Sequence, residues 1–222
     1  MGAMGKKEAI GEKQKEPGKF EGITILELDT LRELANIGTG NASIALSSLL
    51  NTRVNISIPT TALVNIKEVA GYIKSSNEMT IGLYSSITQG ISGNLIAMFP
   101  VDSGIILANS LAFNESSGAD VLSKKHAEIL KKLGSVLYAI YLSSIAGFLR
   151  SNITFQPPNI ISTMGSSIID FILVDIDQNE KCLLINLGFD AMNKAIKGDF
   201  ILIFTVSSLM PMLEKLRKED AK

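Results

Sequence analysis

Cysteine, histidine and tryptophan are almost absent from this chain. It contains one cysteine, Cys182, one histidine, His126, and no tryptophan among 222 residues. A disulfide therefore cannot form within the chain, which fits a reducing compartment. A zinc site or a Cys–His dyad could hardly be assembled from one residue of each kind. Cys182 lies in an apolar run and is predicted to be a buried small hydrophobe, whereas His126 follows two lysines and is predicted to be solvated at the start of a helix.

An excess of charge of one sign is also missing. The 21 basic and 22 acidic residues give a formal net charge of −1, and aromatic residues make up 6% of the chain. The chain has neither a global basic field to hold nucleic acid nor many rings on which bases could stack. It shows no run of the roughly 18 apolar residues that span a bilayer, and no apolar signal-peptide core. We expect neither nucleic acid nor a membrane among its partners, and a cytoplasmic location.

The sequence does contain a repeated pattern of helices and strands. Residues 1–22 are rich in lysine, glutamate and glycine and are predicted to be a disordered tail. Apolar periodicity over the rest predicts helices at residues 27–50, 102–113, 126–149 and 208–218, and strands at residues 54–58, 79–86, 91–99, 168–176, 182–189 and 200–206.

The order helix, three strands, helix thus occurs twice, in repeats of about 23–118 and 119–222 with a linker at 114–120. We predict an α/β (α+β) fold in which this duplicated unit has pseudo-twofold symmetry and a mixed or antiparallel sheet. The two repeats should form a single domain, since neither could easily bury its apolar faces alone.

The first long helix has a distinctive polar face. On a helical wheel Glu33, Asn36 and Gly40 lie on one narrow face, opposite the apolar residues of the helix. Gly38 points to the core side, where it would let a neighbouring element approach. Gly40 points outward, where a bare position would let the backbone of another protein come close.

A simpler interpretation of the same face is a helix start. The segment Thr30-Leu-Arg-Glu33 fits a capping box, in which Glu33 would only satisfy backbone amides. Asn36 would then be an ordinary surface amide. The wheel alone leaves both interpretations open.

The same residues resemble the signature of the CheC/CheX/FliY phosphatases. That signature is an aspartate or serine, three residues, a glutamate, two residues, an asparagine, twenty-two residues and a proline. This chain has Asp29, Glu33, Asn36 and Pro59 at that spacing, and Gly40 on the same helix face. The likeness extends over about residues 24–220.

A second copy of the signature is degenerate. Glu128, Lys132 and Ser135 stand at the positions equivalent to the first acid, the glutamate and the asparagine. The offset between the copies is 99 residues, which is also the separation of Pro59 from Pro158. We predict that the scaffold is duplicated while the second site has lost its chemistry.

The resemblance implies hydrolysis of the aspartyl phosphate of a CheY-like response regulator. Asn36 would orient the attacking water, Glu33 would pair with a lysine of the regulator, and Asp29 and Gly40 would contact the partner. The Mg²⁺ of the reaction would be supplied by CheY, so the chain would need no cofactor or metal of its own. CheD is a further candidate partner.

Two other functions stay open. One is a non-enzymatic chemotaxis adaptor that binds CheY or CheD, with a vestigial signature. The other is a small-molecule-binding α/β domain, although no phosphate loop or cofactor fingerprint is present. The intact Glu33 and Asn36 favour the phosphatase.

Overall fold

Five α-helices, eight strands and one 3₁₀ helix make up the part of the chain that the computed structural model describes, residues 23–73, 77–112, 121–192 and 195–220. They are, in chain order, α1 (Ile25–Leu50), β1 (Val54–Ile56), β2 (Thr60–Asn65), the 3₁₀ helix (Ile66–Tyr72), β3 (Met79–Gln89), β4 (Gly93–Pro100), α2 (Val101–Leu111), α3 (Lys124–Phe148), β5 (Thr154–Phe155), β6 (Asn159–Met164), α4 (Gly165–Leu173), β7 (Lys181–Ala191), β8 (Ile196–Thr205) and α5 (Val206–Asp220). The tail predicted for residues 1–22 and the linker predicted for residues 114–120, with the repeat boundary inside it, lie outside the described residues.

The element order confirms the duplication. Helix, two strands, short helix, two strands and helix occur first from α1 to α2 and again from α3 to α5. The helix N-caps Thr24 and Ser123 are 99 residues apart. Strands β2 and β6 begin at residues 60 and 159, which gives the same offset of 99 residues. Each repeat thus has four strands where three were predicted. The strands β2, β5 and β6 were not predicted, because they are short and lack a strong apolar alternation.

One predicted strand is wrong. Residues 168–176 were expected to be extended, but α4 covers Gly165–Leu173 as a helix. Ile168, Ile169 and Leu173 are buried, whereas Phe171 is 52% exposed. A short apolar run can belong to a buried strand or to a buried helix segment, and periodicity alone does not separate the two.

The two repeats are interlocked in one antiparallel sheet. Strands are ordered β1-β7-β8-β4-β3-β5, with β2 also on β7 and β6 also on β3. The first repeat's β1 and β2 therefore pair with a strand of the second repeat, and the second repeat's β5 and β6 pair with a strand of the first. The central pair β4 and β8 joins the halves, as pseudo-twofold symmetry requires.

Helices cover both faces of the sheet. Because side chains alternate along a strand, Leu95, Ala97 and Phe99 of β4 join the larger apolar cluster, and Ile96 and Met98 join the smaller one. The larger cluster includes residues of α1, α2, α3 and α5, and the smaller includes residues of the 3₁₀ helix and α4.

Cys182 and His126 are both buried. Cys182 belongs to the smaller cluster, as predicted, and burial raises the pKa of its thiol to about 12. The prediction of a solvated His126 is wrong, because its ring closes a capping box at the start of α3. The Ser123 amide donates to Nδ1 at 3.3 Å, and Nε2 lies 3.0 Å from the Asn109 side-chain oxygen of α2.

Helix α3 is long and apolar enough to cross a membrane by length and composition alone, although no run of about 18 apolar residues occurs in it. Many of its apolar residues, however, face the interior of the fold. Nine of its residues are buried, among them Leu130, Leu137 and Tyr141. The high hydropathy of α3 is therefore that of a core helix.

Contact between α1 and α3 depends on a glycine. A Cβ atom placed on Gly38 would lie 3.0 Å from the ring of Tyr141, which is completely buried. At Gly40, by contrast, an added Cβ would have no neighbour within 4 Å. Gly38 thus allows the close approach of a neighbouring helix, as predicted, and Gly40 leaves open space on the outer side.

These two glycines should respond in opposite ways to the same substitution. Gly38→Leu should lower the free energy of unfolding by about 1–3 kcal/mol, the usual cost of overpacking a filled core. Gly40→Leu should raise it by up to about 0.8 kcal/mol, because leucine is the better helix former. Urea unfolding of both variants measures the difference, and equal effects would contradict the packing of α1 on α3.

Candidate functional site

The outer face of α1 presents the predicted site residues. Asp29, Glu33, Asn36 and Gly40 are all exposed. The opposite face is buried in the core and consists of Leu28, Leu31, Leu34, Ala35, Gly38, Ala42, Leu46 and Leu50. The helical wheel therefore placed the polar face correctly.

Glu33 is not a capping residue. Helix α1 begins at Ile25, and its capping box is formed by Thr24 and Glu27. Thr30 and Glu33 lie in later turns, and the Thr30 hydroxyl donates to the Leu26 carbonyl at 2.8 Å. The capping interpretation of Glu33 is thus excluded by where the helix starts.

Two of the site side chains are available to a second molecule. In the described part of the chain, Glu33 and Asn36 have no hydrogen bond or ion pair from their side chains. Asp29 differs, because its carboxylate pairs with Arg32 at 2.9 Å. Residues three apart on a helix are neighbours on its surface, with Cβ atoms about 5–6 Å apart. Glu33 and Asn36 can therefore contact one partner together.

The backbone behind Asn36 is held by two hydroxyl groups. Tyr141 of α3 donates to the Ala35 carbonyl at 2.7 Å, and Thr39 donates to the same carbonyl at 2.7 Å. The two hydroxyl oxygens are 3.0 Å apart. Burial raises the pKa of Tyr141 to about 12, so it remains a neutral donor. Sequence reasoning missed this pair, although a threonine between two glycines was a usable signal.

Strand β1 anchors the C-terminal half of α1. The Ser43 hydroxyl donates to the Val54 carbonyl at 3.0 Å, and the Val54 amide donates to the Ser47 hydroxyl at 3.1 Å. At 100° per residue both serines lie on or beside the polar face of α1, but their hydroxyl groups are engaged within the chain. Pro59 lies between β1 and β2.

Two isoleucines beside the polar residues were not predicted as part of the site. Ile37 is 47% exposed and Ile44 is 69% exposed. They are seven residues apart, so they lie on the same side of the helix, about 10.5 Å apart along its axis. The helical wheel that groups Glu33 with Gly40 also places both isoleucines next to them.

The equivalent face of α3 carries different side chains. Glu128 and Lys132 of the predicted degenerate copy are exposed. Ser135 is partly buried, and its hydroxyl donates to the Lys131 carbonyl of its own helix at 3.1 Å. Val136, at the position equivalent to Ile37, is 42% exposed. This helix therefore presents a cation and an internally bonded hydroxyl where α1 presents an acid and a free amide.

The site is a convex helix face and not a cavity. A cleft of about 610 Å³ at the edge of the sheet is lined by residues such as Asn55, Asp190 and Lys197, and neither Glu33 nor Asn36 lines it. A projecting helix face suits contact with another macromolecule better than enclosure of a small molecule, since small-molecule sites are concave.

Comparison with known proteins finds similarity to the CheC-like family. The family model described as the CheC-like family matches residues 26–62, the segment that holds the α1 site and Pro59. The CheY-P phosphatase CheC of Bacillus subtilis (strain 168) is 22% identical over 161 residues, which cover 72% of this chain and 77% of that protein. The resemblance to the CheC/CheX/FliY family is thereby confirmed.

Solved structures share the fold at low sequence identity. The crystal structure of Thermotoga maritima FliY superposes with a TM-score of 0.68 at 17% identity, over 88% of this chain and 98% of that one. The FliM middle domain from H. pylori has a TM-score of 0.63 at 14% identity, over 87% and 99% of the two chains. Such identities show a common fold alone, so the activity must be argued from the site residues.

Glu27 and Glu33 provide a test of which glutamate supports the helix. Glu27→Ala should cost about 1 kcal/mol of stability, the usual scale of a lost cap. Glu33→Ala, at an exposed position, should change stability by less than about 0.5 kcal/mol. Thermal unfolding at neutral pH measures both, and an equal loss in the two variants would show that Glu33 is structural.

The effect at Glu27 should also depend on pH. Partial burial alone would raise the pKa of Glu27, but the hydrogen bonds from Arg217 and Thr24 outweigh it and hold that pKa below its ordinary value. A carboxylate with a depressed pKa stabilises the fold above its unfolded-state pKa, and this contribution is lost as the pH falls. The stability difference between wild type and Glu27→Ala should therefore shrink in acid.

Proposed function

We propose that this protein is a phosphatase for the aspartyl phosphate of a CheY-like chemotaxis response regulator. The observation that carries the proposal is the pair Glu33 and Asn36. Both side chains are exposed, lack partners within the described chain and lie on adjacent turns of one anchored helix. They also fall inside the segment that matches the CheC-like family.

Asn36 acts by orienting water. A side-chain amide is a poor general base, but it can hold a water molecule in line with phosphorus through hydrogen bonds. The water oxygen bonds to phosphorus as the bond between phosphorus and the aspartyl oxygen breaks. The products are the free aspartate and dihydrogen phosphate, which takes both protons of the water. The Mg²⁺ of the reaction is brought by the regulator, as part of the substrate.

Glu33 fixes how the regulator docks. In this proposal its carboxylate pairs with the lysine beside the phosphorylated aspartate, and the pair sets the orientation of the two proteins. Asn36 is then one turn away and directed at the phosphoryl group. Gly40 gives the clearance that the regulator's backbone needs, which agrees with the open space around it.

Rigidity behind the site supports water orientation. A small misplacement of a positioning group can cost about 100-fold in rate. The hydroxyls of Tyr141 and Thr39 hold the carbonyl of the residue immediately before Asn36. The amide of Asn36 is therefore mounted on a backbone with little freedom to shift.

A non-enzymatic adaptor is the alternative. The FliM middle domain shares this fold under a name that states no enzymatic activity, and a fold by itself does not define a function. An adaptor would bind the regulator, or CheD, without accelerating loss of phosphate. Binding of CheD and a cytoplasmic location remain part of the proposal. No residue of this chain is assigned to contact with CheD.

Asn36→Ala provides the test of catalysis. The variant should fold normally, because the side chain is exposed, and its rate of regulator dephosphorylation should fall by about 100-fold or more. Decay of a phosphorylated CheY-type receiver domain is measured with and without each protein. Full activity in a folded Asn36→Ala variant would overturn the assignment, and a wild type that binds the receiver without accelerating decay would establish the adaptor.

The second helix provides a matched control. Lys132→Ala combined with Ser135→Ala should leave the dephosphorylation rate within about two-fold of wild type, because these residues offer no amide for water and no acid for the receiver's lysine. The same decay assay measures it. Loss of activity with Glu33, Asn36 and the fold intact would show that α3 has a part in the reaction.

A further inference from the structure

The exposed isoleucines of α1 form a second feature of the site face. We use the name apolar ridge for Ile37 and Ile44, which are 47% and 69% exposed. Single exposed apolar residues are normal on a protein surface. These two, however, lie on the same helix face as Glu33 and Asn36, with Gly40 between them.

The position of Glu33 brings the ridge close to a partner that uses both polar residues. Successive residues are about 100° apart around a helix, so Glu33 lies between Asn36 and Ile37 when α1 is viewed along its axis. Ile37 is then about 40° from Glu33, and a partner that spans Glu33 and Asn36 has Ile37 at its margin. The bare position at Gly40 leaves a notch between Ile37 and Ile44 into which that partner can project.

A cleft extends the surface beyond Ile44. It has a volume of about 770 Å³ and lies between the C-terminal half of α1 and β1. Ile44 forms part of its lining together with polar residues that include Ser48, Asn51 and Arg53. An apolar centre with a polar margin is the usual arrangement at the core and rim of a protein interface.

Comparison with α3 separates the ridge from the general surface of the fold. Val136 stands at the position of Ile37 and keeps an exposed apolar side chain. The position of Ile44 is taken by Ser143, which is exposed and polar. Helix α3, which lacks the equivalents of Glu33 and Asn36, therefore has one of the two exposed apolar side chains. Helix α1, which has Glu33 and Asn36, has both.

We propose that the apolar ridge is the contact by which the phosphorylated receiver domain docks on α1, and that it determines which regulator is accepted. The inference rests on the proposed function, since the receiver is the occupant to which Glu33 and Asn36 point. It requires the receiver to carry an apolar patch beside its acidic phosphorylation pocket. Glu33 supplies the orientation, and Ile37 and Ile44 supply most of the contact.

The test separates binding from chemistry. The double variant Ile37→Ser, Ile44→Ser is compared with wild type, and Val136→Ser serves as the matched control on α3. Binding is titrated with a receiver domain carrying Mg²⁺ and beryllofluoride, which mimics the phosphorylated state without turnover. Steady-state dephosphorylation then gives KM and kcat, and thermal unfolding checks that each variant is folded.

The double variant should raise both Kd and KM by ten-fold or more while kcat stays within two-fold, and Val136→Ser should change none of them. Unchanged Kd and KM in the double variant, with Asn36→Ala inactive, would overturn the docking proposal and leave the proposed function standing. A wild type that binds but does not hydrolyse would overturn the phosphatase, and the Kd of the double variant would still decide the docking proposal. A wild type that does not bind the activated receiver would overturn both.

Discussion

Close contact between α1 and α3 is the constraint on which the site depends. The ring of Tyr141 can lie against α1 only because Gly38 has no side chain, and its hydroxyl then reaches the Ala35 carbonyl. Thr39 adds a second hydroxyl to the same carbonyl. Helix α3 thus holds α1 at Ala35, the residue before Asn36. Gly38 lowers the helix propensity of α1 by about 1 kcal/mol relative to alanine. This cost allows the buried Tyr141 to lie directly beneath the outer face of α1.

Duplication has left the two long helices with the same structural role and different surfaces. Both begin with a capping box and both bury their apolar face under the sheet. On α1 the outer face keeps free polar groups, whereas on α3 the Ser135 hydroxyl bonds to its own helix. Burial holds α3 in place regardless of its outer face. The chemistry of that face was therefore free to change without affecting the fold.

Much of the fold and part of the site could be predicted from the sequence. The long helices have apolar residues at helical spacing, and the strands β3, β4, β7 and β8 contain long apolar runs. The 99-residue offset revealed the duplication. The helix α4 could not be distinguished from a strand, because its buried residues form a short run that fits both. His126 was misplaced, since the asparagine that it meets on α2 is remote in sequence. The contact of Tyr141 with the Ala35 carbonyl joins residues 106 apart in sequence, which no local pattern encodes. The apolar ridge was within reach of the helical wheel, which shows the face of a side chain but not how exposed it is.

The exchange of strands between the repeats has a consequence during protein synthesis. Val54 pairs with Ala191, so the first repeat cannot complete its sheet until almost the whole chain has left the ribosome. Pairings between such distant residues slow folding, because the chain must close long loops first. Until then β3 presents an unpaired edge of the kind that invites aggregation. A nascent chain that stalls after the first repeat should therefore be a substrate for chaperones, even though every element of that repeat has already been made.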